Sequence, residues 1–264
     1  MNKVISKDGT AITFDQSGEG QALILVDGAL CYRSFGPMKS VAKLLAPRFS
    51  VFTYDRRGRG ESADTAPYAV EREVEDSEAL IQRAGGSACV FGTSSGAALA
   101  LEAAARLKSI QKLALYEAPF FFDDIHPPRP DDYLAKMSGL IASNRRSDAL
   151  KLFMKTVGTP AIFIALMRFT PVWSKLKAVA HTLPYDLTIL ADTRAGEPLS
   201  AKRWTSVTMP ALAAVGGKSP VWWQTAMKDL ADVLPSAKYR ILEGQTHMVK
   251  PQVLAPILVE FFRG

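Results

Sequence analysis

Long hydrophobic runs, cysteines and histidines are all scarce in this chain of 264 residues, and each scarcity excludes a class of protein. No apolar run approaches the roughly 18 residues that cross a bilayer, so we expect no membrane span. The N-terminal sequence MNKVISKDGT lacks the apolar stretch of a secretory signal. The two cysteines, Cys31 and Cys89, are too few for a disulfide framework, which favours a cytoplasmic protein. The three histidines lie far apart, so we expect no metal site.

Positive charge is present in excess, because the formal net charge is +6. The basic residues are nevertheless scattered, with short clusters only at 56–59 and at Arg145-Arg146. They are not interleaved with aromatic residues in one tract, and no nucleic-acid motif accompanies them. We therefore predict that nucleic acid is not a partner.

Apolar runs that are typical of buried strands alternate with segments that are typical of helices. After a hairpin signal at Asp8-Gly9, the predicted strands cover 22–28, 49–55, 87–92, 112–116, 210–217 and 238–244. Such alternation implies right-handed crossovers and helices on both faces of the sheet. The predicted fold class is therefore α/β, with a doubly wound and mostly parallel sheet.

The alternation stops at Pro119 and resumes after about residue 207. The intervening segment contains four helical stretches, at 133–142, 147–157, 160–169 and 172–182, and no run that is typical of a strand. A connection of this length needs structure of its own. We predict a discontinuous core domain, residues 1–119 and 208–264, interrupted by a helical insertion, residues 120–207.

The sequence VFGTSSGAALA, residues 90–100, contains the most specific motif. It places Gly92-x-Ser94-x-Gly96 between a buried strand and an Ala-rich helix. A tight strand-to-helix turn needs small residues beside its apex, and it exposes the apex serine at the positive end of the helix. We predict that Ser94 is a nucleophile and that the backbone N–H of Ser95 points into the site. The alternative is a glycine-rich turn that carries a serine by chance.

A serine hydroxyl needs a base to take its proton, and EGQTHMV, residues 243–249, supplies a histidine. His247 lies in a loop between the last predicted strand and the last predicted helix. The other two histidines, His126 and His181, fall in the helical insertion, away from the sheet ends. We predict that His247 is the base.

The elbow GTSSG, the turn DRRGRGES, the GQTH loop and the position of the insertion together resemble the α/β-hydrolase superfamily over the whole chain. The resemblance implies that the insertion is a lid and that the DRRGRGES turn is structural rather than a binding patch. It also implies that no cofactor is needed. The second oxyanion donor is then the N–H of Gly28 or Ala29, in the loop after the strand ALILV. Asp27 replaces the more usual histidine there, and we expect its side chain to turn away and bond loop amides.

The triad acid departs from the pattern of many relatives. Ser219 stands where those relatives have an aspartate, and a hydroxyl cannot stabilise an imidazolium as a carboxylate does. Glu117 follows the strand after the elbow helix and could reach His247, as in zearalenone-type lactone hydrolases, which this chain resembles in that respect. The open alternatives are a solvated strand terminus for Glu117, or an acid elsewhere: Asp123, Asp124 or Asp192.

The expected activity is hydrolysis of a carboxylic ester or lactone through a Ser-His-Glu triad and an acyl-enzyme. Aromatic residues of the insertion and of the segment after Ser219 suggest an apolar small molecule of moderate size. The candidate substrate-binding residues are Phe120, Trp173, Trp222 and Met248, although aromatic residues at helical spacing more often belong to a core. Two alternatives remain: carbon–carbon bond hydrolysis or perhydrolysis in the same site, and a small-ligand receptor without turnover.

Overall fold

In the computed structural model, which describes residues 2–120, 132–191 and 201–264, eight strands form one sheet. The strands are β1 (Asn2–Ile5), β2 (Ala11–Ser17), β3 (Ala22–Val26), β4 (Ser50–Tyr54), β5 (Ala88–Thr93), β6 (Ile110–Tyr116), β7 (Ala211–Gly216) and β8 (Ala237–Leu242). They lie in the order β1-β2-β4-β3-β5-β6-β7-β8. The pairs from β4 to β8 are parallel, whereas β1 and β2 extend the sheet with antiparallel pairing. The predicted α/β fold class with a mostly parallel sheet is confirmed.

Helices cover both faces of this sheet. Those of the core are α1 (Met38–Leu45), α2 (Val70–Arg83), α3 (Ser95–Arg106), α9 (Val221–Val233) and α10 (Pro251–Arg263). One hydrophobic cluster joins α2, α3 and α9 to the sheet, and a second cluster joins α1 and α10 to the opposite face. Both faces are therefore dry, which explains why the central strands carry continuous apolar runs instead of alternating ones.

The sequence pattern predicts a helix from about Ser34 to Leu45, but helix α1 begins only at Met38. Tyr32 and Phe35 exchange two backbone hydrogen bonds, of 2.9 and 2.7 Å, and their rings lie 5.6 Å apart. Pro37 then precedes the helix, where its fixed φ suits a helix start. The segment after β3 is therefore a tight loop before it becomes helical.

The helical insertion lies between β6 and β7. Its described helices are α4 (Tyr133–Ala142), α5 (Arg146–Thr156), α6 (Ala161–Met167), α7 (Pro171–Val179) and α8 (Leu183–Ile189). The first four agree closely with the predicted stretches, whereas α8 had not been predicted as a separate helix. These helices share a hydrophobic cluster of their own, to which Leu30 of the core contributes. That contact brings the insertion against the loop after β3.

Three findings concern membrane spans, metal sites and cysteines. Among the described residues, no helix has both the length and the apolar character needed to cross a membrane. The same residues contain no group of three or more His, Cys, Asp or Glu side chains arranged to hold a metal ion. Both cysteines are free thiols.

Candidate active site

Ser94 lies at the apex of a strained turn between β5 and α3. Its backbone has φ 54° and ψ −132°, a conformation that non-glycine residues rarely adopt. A Cβ atom on Gly92 would lie 2.4 Å from the backbone oxygen of Gly96, and a Cβ on Gly96 would lie 2.4 Å from the backbone oxygen of Asp27. Only glycine fits at these two positions, so the close packing of the turn explains the G-x-S-x-G spacing.

His247 and Glu117 are in direct contact. The distance between His247 Nδ1 and Glu117 Oε2 is 2.7 Å. The side chain of Glu117 is fully buried, whereas that of His247 is 39% exposed. Glu117 also has a positive φ of 49°, because the chain turns sharply where β6 ends. Glu117 is therefore not a solvated strand terminus.

The second carboxylate oxygen of Glu117 accepts two further hydrogen bonds. The backbone N–H of Gly216 donates to Oε1 at 2.8 Å, and the hydroxyl of Ser219 donates to the same atom at 2.6 Å. Ser219 thus occupies the position where an aspartate was expected, and its hydroxyl supports the glutamate that touches His247. No pattern in the sequence indicates this role of Ser219. The other acids considered, Asp123, Asp124 and Asp192, lie outside the described residues.

An indole ring covers one face of the histidine. The rings of Trp223 and His247 are stacked, with centroids 4.8 Å apart and an interplanar angle of 25°. Trp222, the tryptophan singled out from the sequence, is half-buried beside it. The Met248 side chain is 76% exposed. One face of the His247 ring is therefore covered by an apolar ring, while 39% of the side chain is exposed to solvent.

The other two candidate substrate-binding residues lie in hydrophobic clusters. Phe120 is 1% exposed, and its ring lies 6.2 Å from that of Trp204. Trp173 is 6% exposed and belongs to the core of the helical insertion. Burial of this extent favours a packing role for both residues.

The loop after β3 lies against Ser94. Cys31 N–H donates to Gly28 O at 3.3 Å and Leu30 has φ 64°, which together describe a tight turn with a left-handed third residue. A Cβ on Gly28 would lie 3.0 Å from Ser94 Cβ, so a larger residue there would crowd Ser94. Arg59 Nη1 donates to Gly28 O at 2.8 Å and fixes this peptide.

Asp27, which precedes this turn, is 3% exposed. Its Oδ1 atom has no hydrogen-bond partner within the described residues, so the expected bonds to loop amides are not made by this atom. Burial raises the pKa of Asp27 to about 8, although the charges of Arg59 and Arg56 act in the opposite direction. Burial therefore favours the neutral form of this side chain beside the loop that contains Gly28.

The arginines of the DRRGRGES turn are internal. Arg56, Arg57 and Arg59 are each 1% exposed, so they do not form a basic patch on the surface. Arg57 is held by Asp76 at 2.7 Å and by Asp8 at 2.9 Å. Such buried pairs agree with a structural turn.

Three comparisons place the chain among known proteins. A solved structure of an alpha/beta hydrolase from Sphaerobacter thermophilus is 47% identical, with a TM-score of 0.91 over 99% of this chain and 100% of that one. An uncharacterized hydrolase, YraK, of Bacillus subtilis (strain 168) is 28% identical over 158 residues, which are 58% of this chain and 57% of that protein. An enol-lactonase from Burkholderia xenovorans is 18% identical, with a TM-score of 0.73 over 100% of both chains.

A family model agrees with these likenesses. The model described as "Alpha/beta hydrolase family" matches residues 23–256, which run from β3 into the last helix. The matched segment includes the elbow, the DRRGRGES turn and the histidine loop. The chain therefore belongs to the alpha/beta hydrolase family.

Proposed function

We propose that the protein is a serine hydrolase that cleaves a carboxylic ester or a lactone. The observation that carries the proposal is the 2.7 Å contact between Glu117 and His247. It provides a buried carboxylate for the imidazole nitrogen that faces away from substrate, at the sheet edge where Ser94 is half-buried. A serine hydroxyl becomes nucleophilic when a histidine oriented in this way accepts its proton.

The proposed reaction has two halves. In the first, Ser94 Oγ attacks the carbonyl carbon while its proton passes to His247 Nε2, and a tetrahedral oxyanion forms. The intermediate collapses, the bond to the alkoxide breaks, and His247 returns the proton to that leaving group. In the second half, His247 takes a proton from the water that attacks the acyl-enzyme, and it then gives this proton to Ser94 Oγ as the bond to the acyl group breaks and the acid leaves. Glu117 keeps the Nδ1 proton in place and stabilises the imidazolium in both halves.

Two backbone donors hold the oxyanion in this proposal. One is the N–H of Ser95, at the N-terminus of α3. The other comes from the loop after β3, and the bond from Arg59 to Gly28 O favours Ala29 over Gly28. The carbonyl and the N–H of one trans peptide point in opposite directions, so the Ala29 N–H points away from Arg59.

The surroundings of His247 support an apolar substrate. Val221 is 61% exposed and Met248 is 76% exposed, and each lies within two residues along the chain of a member of the stacked Trp223–His247 pair. Exposed apolar side chains beside a charged dyad are suited to the hydrocarbon part of an ester. We propose a small, apolar ester or lactone as the partner, without a cofactor.

The test is covalent labelling followed by turnover. A fluorophosphonate probe should label Ser94, located by mass spectrometry, and labelling should disappear in Ser94→Ala. Hydrolysis of p-nitrophenyl esters and of lactones should disappear in the same variant. Labelling without hydrolysis, but with cleavage of vinylogous diketones or with perhydrolysis, would assign the site to those reactions instead. A protein that is neither labelled nor active would be a ligand receptor, and the proposal would fail.

A further inference from the structure

A carboxylate from the helical insertion lies directly behind the elbow. Asp186, on α8, has a side chain that is 3% exposed. Its Oδ1 accepts a hydrogen bond of 2.7 Å from the hydroxyl of Ser95 and one of 2.7 Å from Arg56 Nη1. Ser95 is the residue whose backbone N–H is the first proposed oxyanion donor. The helical insertion thus contacts the start of α3 through a buried, charge-assisted hydrogen bond.

The same carboxylate also reaches the second oxyanion segment. Arg59 Nη2 donates to both oxygens of Asp186, at 2.9 and 2.7 Å. The other terminal nitrogen of Arg59 donates to Gly28 O at 2.8 Å, and Arg59 Nε donates to Thr182 of the insertion at 3.1 Å. One guanidinium therefore connects Asp186 with the peptide that carries the Ala29 N–H.

The charged side chains around Asp186 form a cluster whose charges balance. Arg56 is also held by Glu73 through two bonds of 2.7 Å, so two arginines face two carboxylates in a dry environment. Burial alone would raise the pKa of Asp186, but the charges of Arg59 and Arg56 and the bond from Ser95 hold it below its ordinary value. Asp186 is therefore an anion that the cluster needs for neutrality.

We infer that Asp186 is a positioning residue that fixes both halves of the oxyanion hole from the helical insertion. The inference rests on the proposed hydrolase function. Donors in an oxyanion hole act on charge that develops in the transition state, so a small displacement of them lowers kcat and leaves substrate binding nearly unchanged. The helical insertion then contributes to turnover, in addition to any role in covering the substrate.

The experiment compares Asp186→Asn and Ser95→Ala with the control Asp148→Asn. The Asp148 side chain is 37% exposed and pairs with Arg145 and Lys151 at the start of α5. The asparagine at 186 keeps the shape but removes the charge, and alanine at 95 removes only the hydroxyl. We expect kcat for a p-nitrophenyl ester to fall about 10- to 100-fold in Asp186→Asn, less than the roughly 100- to 1000-fold loss that follows removal of a donor. We expect KM within threefold of wild type, a smaller loss of kcat in Ser95→Ala, and no change in Asp148→Asn.

A second readout separates positioning from general damage. A trifluoromethyl ketone adds to Ser94 and places an oxyanion in the hole, whereas the matching methyl ketone measures ground-state binding. The trifluoromethyl ketone should lose affinity in Asp186→Asn by the same factor as kcat, and the methyl ketone should not. If Asp186→Asn does not fold, Ser95→Ala decides through the same two ketones.

The outcomes are distinct. If the wild type is inactive and is not labelled at Ser94, the proposed function fails and this inference fails with it. If the wild type is active while Asp186→Asn, or its substitute Ser95→Ala, keeps wild-type kcat and wild-type affinity for the trifluoromethyl ketone, only the positioning role is overturned.

Discussion

Replacing Glu117 with glutamine tests the proposed triad most directly. The glutamine amide fills the same volume, and its oxygen can still accept the bonds from Gly216 and Ser219. The amide nitrogen then faces His247 Nδ1, and it can only donate. His247 must therefore carry its proton on Nε2, the atom that has to receive the proton of Ser94.

The size of the expected loss in kcat follows from this change of tautomer. In serine proteases, the equivalent change of acid to amide lowers kcat about 10⁴-fold, which is about 5.5 kcal/mol of barrier. We expect a loss of the same order for Glu117→Gln, measured as kcat on a p-nitrophenyl ester at pH 7, with little change in KM. Glu243→Gln, which alters an exposed glutamate just after β8, is the matched control and should be silent.

A variant that moves the acid from position 117 to position 219 provides a stricter test. Ser219 Oγ lies 2.6 Å from Glu117 Oε1, so an aspartate at 219 would bring its carboxylate into the same space. The double variant Glu117→Ala with Ser219→Asp should recover at least a hundredfold of the activity that Glu117→Ala loses. Hydrolysis by Glu117→Gln within tenfold of wild type would refute the assignment of Glu117 as the triad acid.

Three further predictions concern the neighbours of the triad. Ser219→Ala removes a bond to the buried Glu117 carboxylate and should lower the free energy of unfolding by about 1–3 kcal/mol in urea titrations, with a smaller loss of kcat than Glu117→Gln. Asp27 has its folded-state pKa raised to about 8 by burial, against about 4 unfolded, so it destabilises the fold increasingly as pH rises between these values. The stability of Asp27→Asn relative to wild type should therefore increase by up to about 1.4 kcal/mol per pH unit between pH 5 and 7, and a difference independent of pH would contradict the raised pKa. Trp223→Leu removes the ring stacked on His247 and should lower kcat about 2- to 30-fold. Trp223→Phe keeps an aromatic ring and should retain most activity. Equal losses in both variants would show that stacking on His247 does not support turnover.

The fold could be predicted because its signals are local. Continuous apolar runs mark the buried parallel strands, and the glycines around Ser94 report the tight turn at the elbow. Even the contact between Glu117 and His247 could be expected, since the carboxyl ends of parallel strands, here β6 and β8, lie at the same edge of the sheet. Helix α1 was placed too early because the pairing of Tyr32 with Phe35 leaves no periodic signal.

The rest of the site depends on contacts that a linear pattern does not carry. The bond from Ser219 to Glu117 joins residues 102 positions apart, and that from Ser95 to Asp186 spans 91 positions. In the sequence, nothing distinguishes these two buried serines from serines that are exposed to solvent. The choice of Trp223 over Trp222 as the ring on His247 depends on the rotation of α9, which the sequence fixes only to within a residue or two.

The proposed exchange of roles between Glu117 and Ser219 has a consequence for the annotation of genome sequences. A search that requires an aspartate after the seventh strand would discard this chain as a dead enzyme. A filter built on the paired substitution, glutamate after the sixth strand together with a small hydroxyl residue after the seventh, would retain it. Such a filter would separate chains that have moved their acid from chains that have lost it.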